Sequence, residues 1–317
     1  MQAIAVNEWG GRDRLELLEL PDPKVGPDTV LIRAGAAGLN PVDAKIRAGN
    51  LAGAFPFHFP VVMGWDTAGV VEQVGPAVTG FAPGDAVYAY CRKPSLEEGT
   101  YAELVSAPES FVARRPESLP VTEAAAIPLA GLTAYQALVD AAQVREGETV
   151  LVHAAAGGVG SFAVQIATSL GARVIATAST GNHDYVGGLG AAWAIDYGRD
   201  DVAAAIRAEH PDGIDAVLDP IGGEAQSEAL DLLRDGGRLV SIAEPPSLSA
   251  EQAARGLTGH YVFVRPSGGQ LGELTRMAED GRLSVSLESV WPLDRAADAH
   301  ERLEMGHVRG KLALTIG

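Results

Sequence analysis

The plainest chemistry in the chain is carried by Val150-Leu151-Val152-His153-Ala154-Ala155-Ala156-Gly157-Gly158-Val159-Gly160. An apolar β-type run drops into a glycine turn, and the turn opens straight into the helix-periodic stretch Phe162 to Leu170. Amides in the first turn of a helix lack intrahelical acceptors and sit at the positive end of the helix dipole, so they suit an anion. Side chains at Gly157, Gly158 or Gly160 would keep the backbone from a pyrophosphate. Residues 156 to 160 (Ala156, Gly157, Gly158, Val159, Gly160) therefore read as a dinucleotide cradle. The spacing is Ala-X-X-Gly-Gly-X-Gly rather than G-x-G-x-x-G. What gives it weight is the strand before it, the helix after it and the strand-like Arg173 to Thr177 that follows.

The elements that must position this turn follow from the rest of the chain. At 317 residues, 47% hydrophobic and 21% charged, it exceeds what one core usually serves, so two domains are expected. A net charge of -17 argues against nucleic acid or an anionic membrane as partner, because such binding runs on phosphate neutralisation by Lys and Arg. The single cysteine, Cys91, permits no intrachain disulfide and no cysteine metal cluster, and fits a reducing cytoplasm. The first residues lack a basic segment followed by a long apolar core, and no apolar run reaches membrane-spanning length. A soluble, cytoplasmic protein is expected.

Up to about residue 120, short β-type runs (Thr29 to Ala34, Thr67 to Val74, Ala86 to Tyr90, Tyr101 to Ser106) are separated by Gly and Pro and predict an antiparallel, barrel-like unit. Thr122 can cap a helix starting at Glu123, and Gly131 to Ala142 reads as a second helix. Strands near 149–153, 173–177, 192–195, 214–218, 237–242 and 260–264 then alternate with helices near 159–170, 182–189, 200–208, 224–233 and 267–280. Six strands with crossovers predict a doubly wound parallel sheet with its ligand at the carboxyl ends of the strands. His307 to Gly317 is strand-like and has no place in that sheet, so it is expected to return to the first domain. The predicted division is 1–122 plus 266–317, and 123–265.

Taken in order, several motifs resemble the zinc-independent quinone and enone oxidoreductases of the medium-chain dehydrogenase/reductase superfamily, the zeta-crystallin-like branch. They are Gly38-Leu39-Asn40-Pro41-Val42-Asp43 with Ala44 to Gly49, Gly64-Trp65-Asp66-Thr67-Ala68-Gly69, Gly131-Leu132-Thr133-Ala134, the glycine turn, and Gly310-Lys311. The glycine segment is also similar to that of polyketide enoyl reductase domains. The resemblance implies an α/β protein with a GroES-like barrel, a Rossmann domain and a cleft between them. It implies Asn40 and Asp43 near the nicotinamide as catalytic candidates and Thr133 beside its ring or carboxamide. It places Ile242-Ala243 and Phe263-Val264-Arg265 at the other edge of the ring, and brings Lys311 in from the returning tail. Read as residues alone, Asn-Pro-Val-Asp is equally a helix-capping turn.

Zinc-dependent relatives carry a Cys near the position of Asn40 and Gly-His-Glu where this chain has Gly64-Trp65-Asp66. The seven histidines show no i, i+4 pair, so no metal is expected. Without a Lewis acid, reduction of an electron-poor carbon is favoured over alcohol oxidation. No acid follows the second strand before Asp184, and Ser179 and Asn182 offer small polar donors, which suits a 2′-phosphate. In similar proteins a tyrosine after the third strand lies beside it, here Tyr197. NADPH is the expected cofactor, with NADH weaker, and a quinone or enone the expected substrate. The donor to the developing oxyanion stays open among Asn40, Lys45, Arg47, a backbone amide and water. Alternatives are an enoyl-thioester or polyketide-tailoring reductase and a low-turnover NADPH-binding sensor or structural protein. The edge strand around Tyr261 to Arg265 suggests a homodimer. Phe55 to Pro60 is an aromatic wall or local packing, and Cys91 reads as inert.

Overall fold

In the computed structural model, which describes Met1 to Gly317, Gly- and Pro-bounded β-strands come first along the chain. They are β1 (Gln2–Val6), β2 (Glu16–Glu19), β3 (Thr29–Leu39), β4 (Val61–Val62), β5 (Asp66–Val74), β6 (Ala86–Tyr90), β7 (Leu104–Pro108) and β8 (Val112–Arg114). Helix α1 (Pro41–Arg47) follows β3, and α2 (Val121–Ala125) and α3 (Pro128–Tyr135) follow β8. The alternating part comprises β9 (Thr149–Val152), α4 (Gly158–Ser169), β10 (Arg173–Thr177), α5 (His183–Gly188), β11 (Trp193–Ile195), α6 (Val202–Glu209), β12 (Ile214–Asp219), α7 (Gly223–Leu230), β13 (Leu233–Ser241), α8 (Ala250–Ala254) and β14 (Thr258–Tyr261). The chain ends in α9 (Gly268–Glu279), β15 (Leu287–Pro292), α10 (Ala296–Glu304) and β16 (Lys311–Thr315).

Two compact units result, Met1–Leu132 with Arg265–Gly317, and Thr133–Val264. The first break falls ten residues beyond the expected 122/123. Its cause is α2, which buries Ala124 and Ala125 and packs on β3, β5 and β16 of the first unit. Thr122 does not cap that helix: it begins at Val121, with Pro120 as N-cap and no side-chain cap.

In the first unit a seven-stranded sheet runs β15-β16-β3-β5-β6-β8 with β7 also on β3, and a smaller sheet runs β2-β1-β4. The tail returns as expected, because β16 pairs antiparallel with β3, Leu312 opposite Leu39. The second unit is a parallel sheet in the order β11-β10-β9-β12-β13-β14, the doubly wound arrangement anticipated. Leu151, Ile175, Ile195, Ile206, Val217, Leu230 and Leu239 form a core between sheet and helices. Each apolar side chain so buried contributes about 1.5–3 kcal/mol. The last strand spans 258–261 rather than 260–264, since its ladder with β13 ends at Ser241 and Tyr261. The expected helix 131–142 divides into α3 and a π-helical turn over Gln136–Ala141. No helix is long and apolar enough to cross a membrane.

Candidate active site

In the second unit the parallel strands direct their carboxyl ends to one side, where β9 leads through His153 to Gly157 into α4. Ala154 sits at φ 47°, a left-handed conformation uncommon for a residue with a side chain. Thr177, at the end of β10, holds it there: its Oγ1 accepts from Ala154 N at 3.1 Å and its carbonyl from Ala155 N at 3.0 Å. A Cβ on Gly160 would come 2.3 Å from the Ala154 carbonyl oxygen and 2.7 Å from Ala155 Cα. Gly160 is thus required by the nesting of α4 on its own turn, a constraint that acts before any ligand arrives. The early amides of α4, at Gly158, Val159 and Gly160, have no intrahelical acceptor. Ala156, Gly157 and these residues make up the turn that the sequence reading took for a dinucleotide cradle.

Ser179 and Asn182 lie just past β10, joined by a 3.2 Å hydrogen bond from Asn182 Nδ2 to Ser179 Oγ. A residue that sequence reading missed fixes this loop. Asp196, after β11, accepts from Thr180 N at 2.8 Å, from the Thr180 hydroxyl and from Gly198 N at 2.9 Å, and these bonds hold its carboxyl below the usual range. The neighbouring Tyr197 is 53% exposed. A cavity of about 570 Å³ opens here, lined by His153, Thr177, Tyr197, Ile221 and the acidic Asp200, Asp201, Glu224 and Glu228. At the end of β12, fully buried Asp219 accepts from Ile221 N, Gly222 N and Gln226 Nε2, each at 2.9 Å, and from Ser241 Oγ at 2.8 Å. Burial raises its pKa, but those donors outweigh it and the group stays below its ordinary value. Ser241 Oγ in turn accepts from Ala243 N at 3.2 Å, setting the Ile242-Ala243 turn after β13. Phe263 and Val264 follow β14, and buried Thr133 belongs to α3.

In the first unit, Asn40, Asp43 and Lys311 come together with two residues that the resemblance did not single out, Asp66 and Tyr101. Asn40 is the N-cap of α1 and Pro41 follows it, so the helix starts where its own amides need acceptors. Asp43 Oδ2 takes Asn40 N at 2.8 Å and the Tyr101 hydroxyl at 2.9 Å. The capping reading therefore holds for Asp43, which is wholly buried and turned inward. The Asn40 side chain, the other half of the capping box, does more than cap. Its Nδ2 donates to Asp66 Oδ2 at 2.8 Å, and its Oδ1 accepts from Lys311 Nζ at 2.5 Å. Lys311 also donates to Leu39 O at 2.5 Å, a position fixed by the β16–β3 register. Asp66 Oδ1 takes Leu129 N in the first turn of α3 at 2.9 Å. Gly64, at φ 84°, lets Tyr101 reach in, since a Cβ there would lie 2.2 Å from the Tyr101 ring.

Burial pushes Asp43 up to about 6 and Asp66 up to about 7 against the pull of their donors and Lys311, and pushes Lys311 down against both carboxylates. Arg47 is removed from the oxyanion-donor candidates. It is buried and committed to His300 Nδ1 at 3.0 Å, Glu304 Oε1 at 2.5 Å and Gly10 O at 3.3 Å. Lys45 is exposed. Phe57 and Phe59 pack on Trp9, with centroids 4.9 and 4.8 Å away. Cys91 is buried, its thiol pushed up to about 12 by desolvation. No three His, Cys, Asp or Glu side chains converge in a way that could hold a metal ion.

A barrel unit of this topology with a doubly wound nucleotide-binding unit inserted before the returning tail defines the medium-chain dehydrogenase/reductase class. The family model described as alcohol dehydrogenase GroES-like domain matches residues 26–117, and that described as zinc-binding dehydrogenase matches 189–314. The chain is 35% identical to an NADPH-dependent alkenal/one oxidoreductase, chloroplastic, of Arabidopsis thaliana, over 99% of this chain and 79% of that protein. Among solved structures it is similar to a quinone oxidoreductase from Coxiella burnetii (33% identity, TM-score 0.88, 100% of this chain and 99% of that one). It is also similar to a protein described as an NAD-dependent alcohol dehydrogenase (35%, TM-score 0.92, all of both chains). The chain belongs to the zinc-independent quinone and enone oxidoreductase branch of the medium-chain dehydrogenase/reductase superfamily.

Proposed function

We propose that this protein is an NADPH-dependent reductase of quinones and of C=C bonds conjugated to a carbonyl, working without a metal. The observation that carries the reading is the cradle: a turn held left-handed at Ala154 by Thr177, opening onto helix amides with no acceptor of their own. The names of the relatives support the substrate class.

In this reading Ala156 to Gly160 bind the diphosphate, and Ser179, Asn182 and Tyr197 take the adenosine end with its 2′-phosphate. Thr133, Ile242, Ala243, Phe263, Val264 and Arg265 hold the nicotinamide end. NADPH, when bound, supplies the hydride. Reduction of an enone at its β-carbon places negative charge on the carbonyl oxygen, which calls for a preorganised donor. Asn40 and Lys311 offer N–H groups suited to it, and Asp43 holds the start of α1. Proton return is left to solvent. A homodimer through the open edge of β14, where Tyr261 is exposed, and a cytoplasmic location that keeps buried Cys91 reduced complete the proposal.

The test is oxidation of NADPH, followed by loss of its absorbance, with a panel of enones and quinones after exhaustive chelation. Turnover that survives chelation and exceeds the NADH rate at least tenfold is expected. A flat signal with every acceptor would leave a binding or sensor protein, and activity restored only by zinc would remove the metal-free mechanism.

A further inference from the structure

The first unit buries one ammonium and two carboxylates together, an arrangement whose cost is met only when geometry and hydrogen bonds are good. The bonds here are ordered in one direction. Lys311 spends two of its three N–H groups on Leu39 O and Asn40 Oδ1. The Asn40 amide spends one of its two on Asp66, and both Asp66 oxygens are filled, by Asn40 and by Leu129 N. Asp43 differs: its Oδ2 accepts twice and its Oδ1 has no partner. A carboxamide between an ammonium and a carboxylate cannot flip without facing like with like. Its Oδ1 must point to Lys311 and its Nδ2 to Asp66.

We propose that Asp66 is a positioning residue of this site: acting through the Asn40 carboxamide, it fixes that amide's orientation and keeps Lys311 an ammonium. One N–H of each is then left to steady an oxygen that gains negative charge. The proposal rests on the reductase reading. The groups around Asp66 are Lys311 on β16, Asp43 on α1, Tyr101 ahead of β7, and Tyr90 and Cys91 at the end of β6, with Arg92 against Tyr90 and Lys93 near Cys91. Lys311 is the cation that acts on Asp66 itself. Burial drives Lys311 toward the neutral amine and the two carboxylates oppose it, Asp66 most strongly. The neutral partners Tyr90, Tyr101 and Cys91 are all pushed further toward their protonated forms by burial and do not compete for the charge.

The experiment has two arms on the full-length protein. In the first, lysine side chains are labelled with ¹³C at Cε and the Lys311 signal is assigned by its loss in Lys311→Arg. Lys311 is expected to titrate below ordinary lysines, and in Asp66→Asn its proton affinity is expected to fall at least a further tenfold. An unchanged titration overturns the coupling, whatever the protein's reaction. In the second arm NADPH and an enone are the substrates. Asp66→Asn is expected to lower kcat at neutral pH by about 10- to 100-fold, to change KM for NADPH less than threefold, and to move the basic limb of the kcat profile to lower pH. Asp66→Glu should restore part of the loss. Lys311→Arg is expected to lower kcat, and the activity that remains should show no basic limb within range, because a guanidinium does not titrate there. A loss equal at all pH values, or a basic limb that persists in Lys311→Arg, refutes the proposal. If the wild type turns over no acceptor, the reductase reading fails while the first arm still decides the coupling. Asp66→Asn keeps an acceptor for Leu129 N. Should it nevertheless melt early, the wild-type titration and Lys311→Arg decide between the two outcomes.

Discussion

Both units bury aspartates, and the two sets behave in opposite ways. In the second unit Asp219 is wholly buried yet held below its ordinary pKa, because four donors converge on it at 2.8–2.9 Å. In the first unit Asp43 and Asp66 each have two donors, and burial wins, lifting them to about 6 and about 7. The donors that reach a carboxylate, set against how completely it is desolvated and which charges stand beside it, decide whether it serves as a fixed anion or as a group poised to titrate. A fixed anion suits a nucleotide crevice whose loops must not move. A titratable cluster suits a place where charge appears during a reaction.

Removing the fixed anion should have the largest effect. Asp219→Ala strands Ile221 N, Gly222 N, Gln226 and Ser241, and is expected to destabilise the second unit by about 3–5 kcal/mol. The measurement is urea unfolding followed by Trp193 fluorescence. A change under about 1 kcal/mol would erase the contrast.

Next is the pH response of Asp43. Its folded pKa of about 6 exceeds the ordinary 3.8, so its stabilising contribution is complete below about 4 and is lost as pH rises through 6. Asp43→Asn is neutral throughout and escapes that loss. Between pH 4 and 7 the wild type should therefore lose on the order of 3 kcal/mol relative to the variant, at about 1.4 kcal/mol per tenfold change in proton affinity. Parallel stability curves for the two proteins would show that Asp43 does not titrate in this way.

Gly160→Ala forces a Cβ onto the Ala154 carbonyl, with an expected loss of about 1–3 kcal/mol and at least tenfold weaker NADPH binding by fluorescence titration. The smallest effect is expected at Tyr197, whose ring is largely exposed. Tyr197→Ala should weaken NADPH about three- to tenfold and leave stability unchanged.

The second unit was the more legible in the sequence. Alternating apolar runs and helix-periodic segments are local signals, and they located all six strands, the glycine turn and the return of the tail. Boundaries moved where packing overrode them: α2 binds the first unit's sheet, so the division shifted past it. The glycine turn was readable, but not Thr177, which holds the turn from a different strand, nor Asp196, which reaches the Thr180 loop from beyond β11. The same holds for the cluster around Asn40. The Asn-Pro-Val-Asp motif points to the place, while Asp66 and Tyr101 arrive from segments 26 and 58 residues away from Asn40 and Asp43 respectively. Glycine offered one usable signal, because Gly64 at positive φ makes the room that Tyr101 occupies. Arg47 shows the reverse error, a cation near the motif that the fold spends on His300 and Glu304.

Metal-free hydride transfer is tested most sharply by supplying NADPH deuterated at nicotinamide C4 to the chelated enzyme with an enone, and locating the label by NMR. One deuterium is expected at the β-carbon of the product, from one face of the coenzyme, at full turnover without metal. Label appearing in water, or a product formed only when metal is returned, would refute direct transfer.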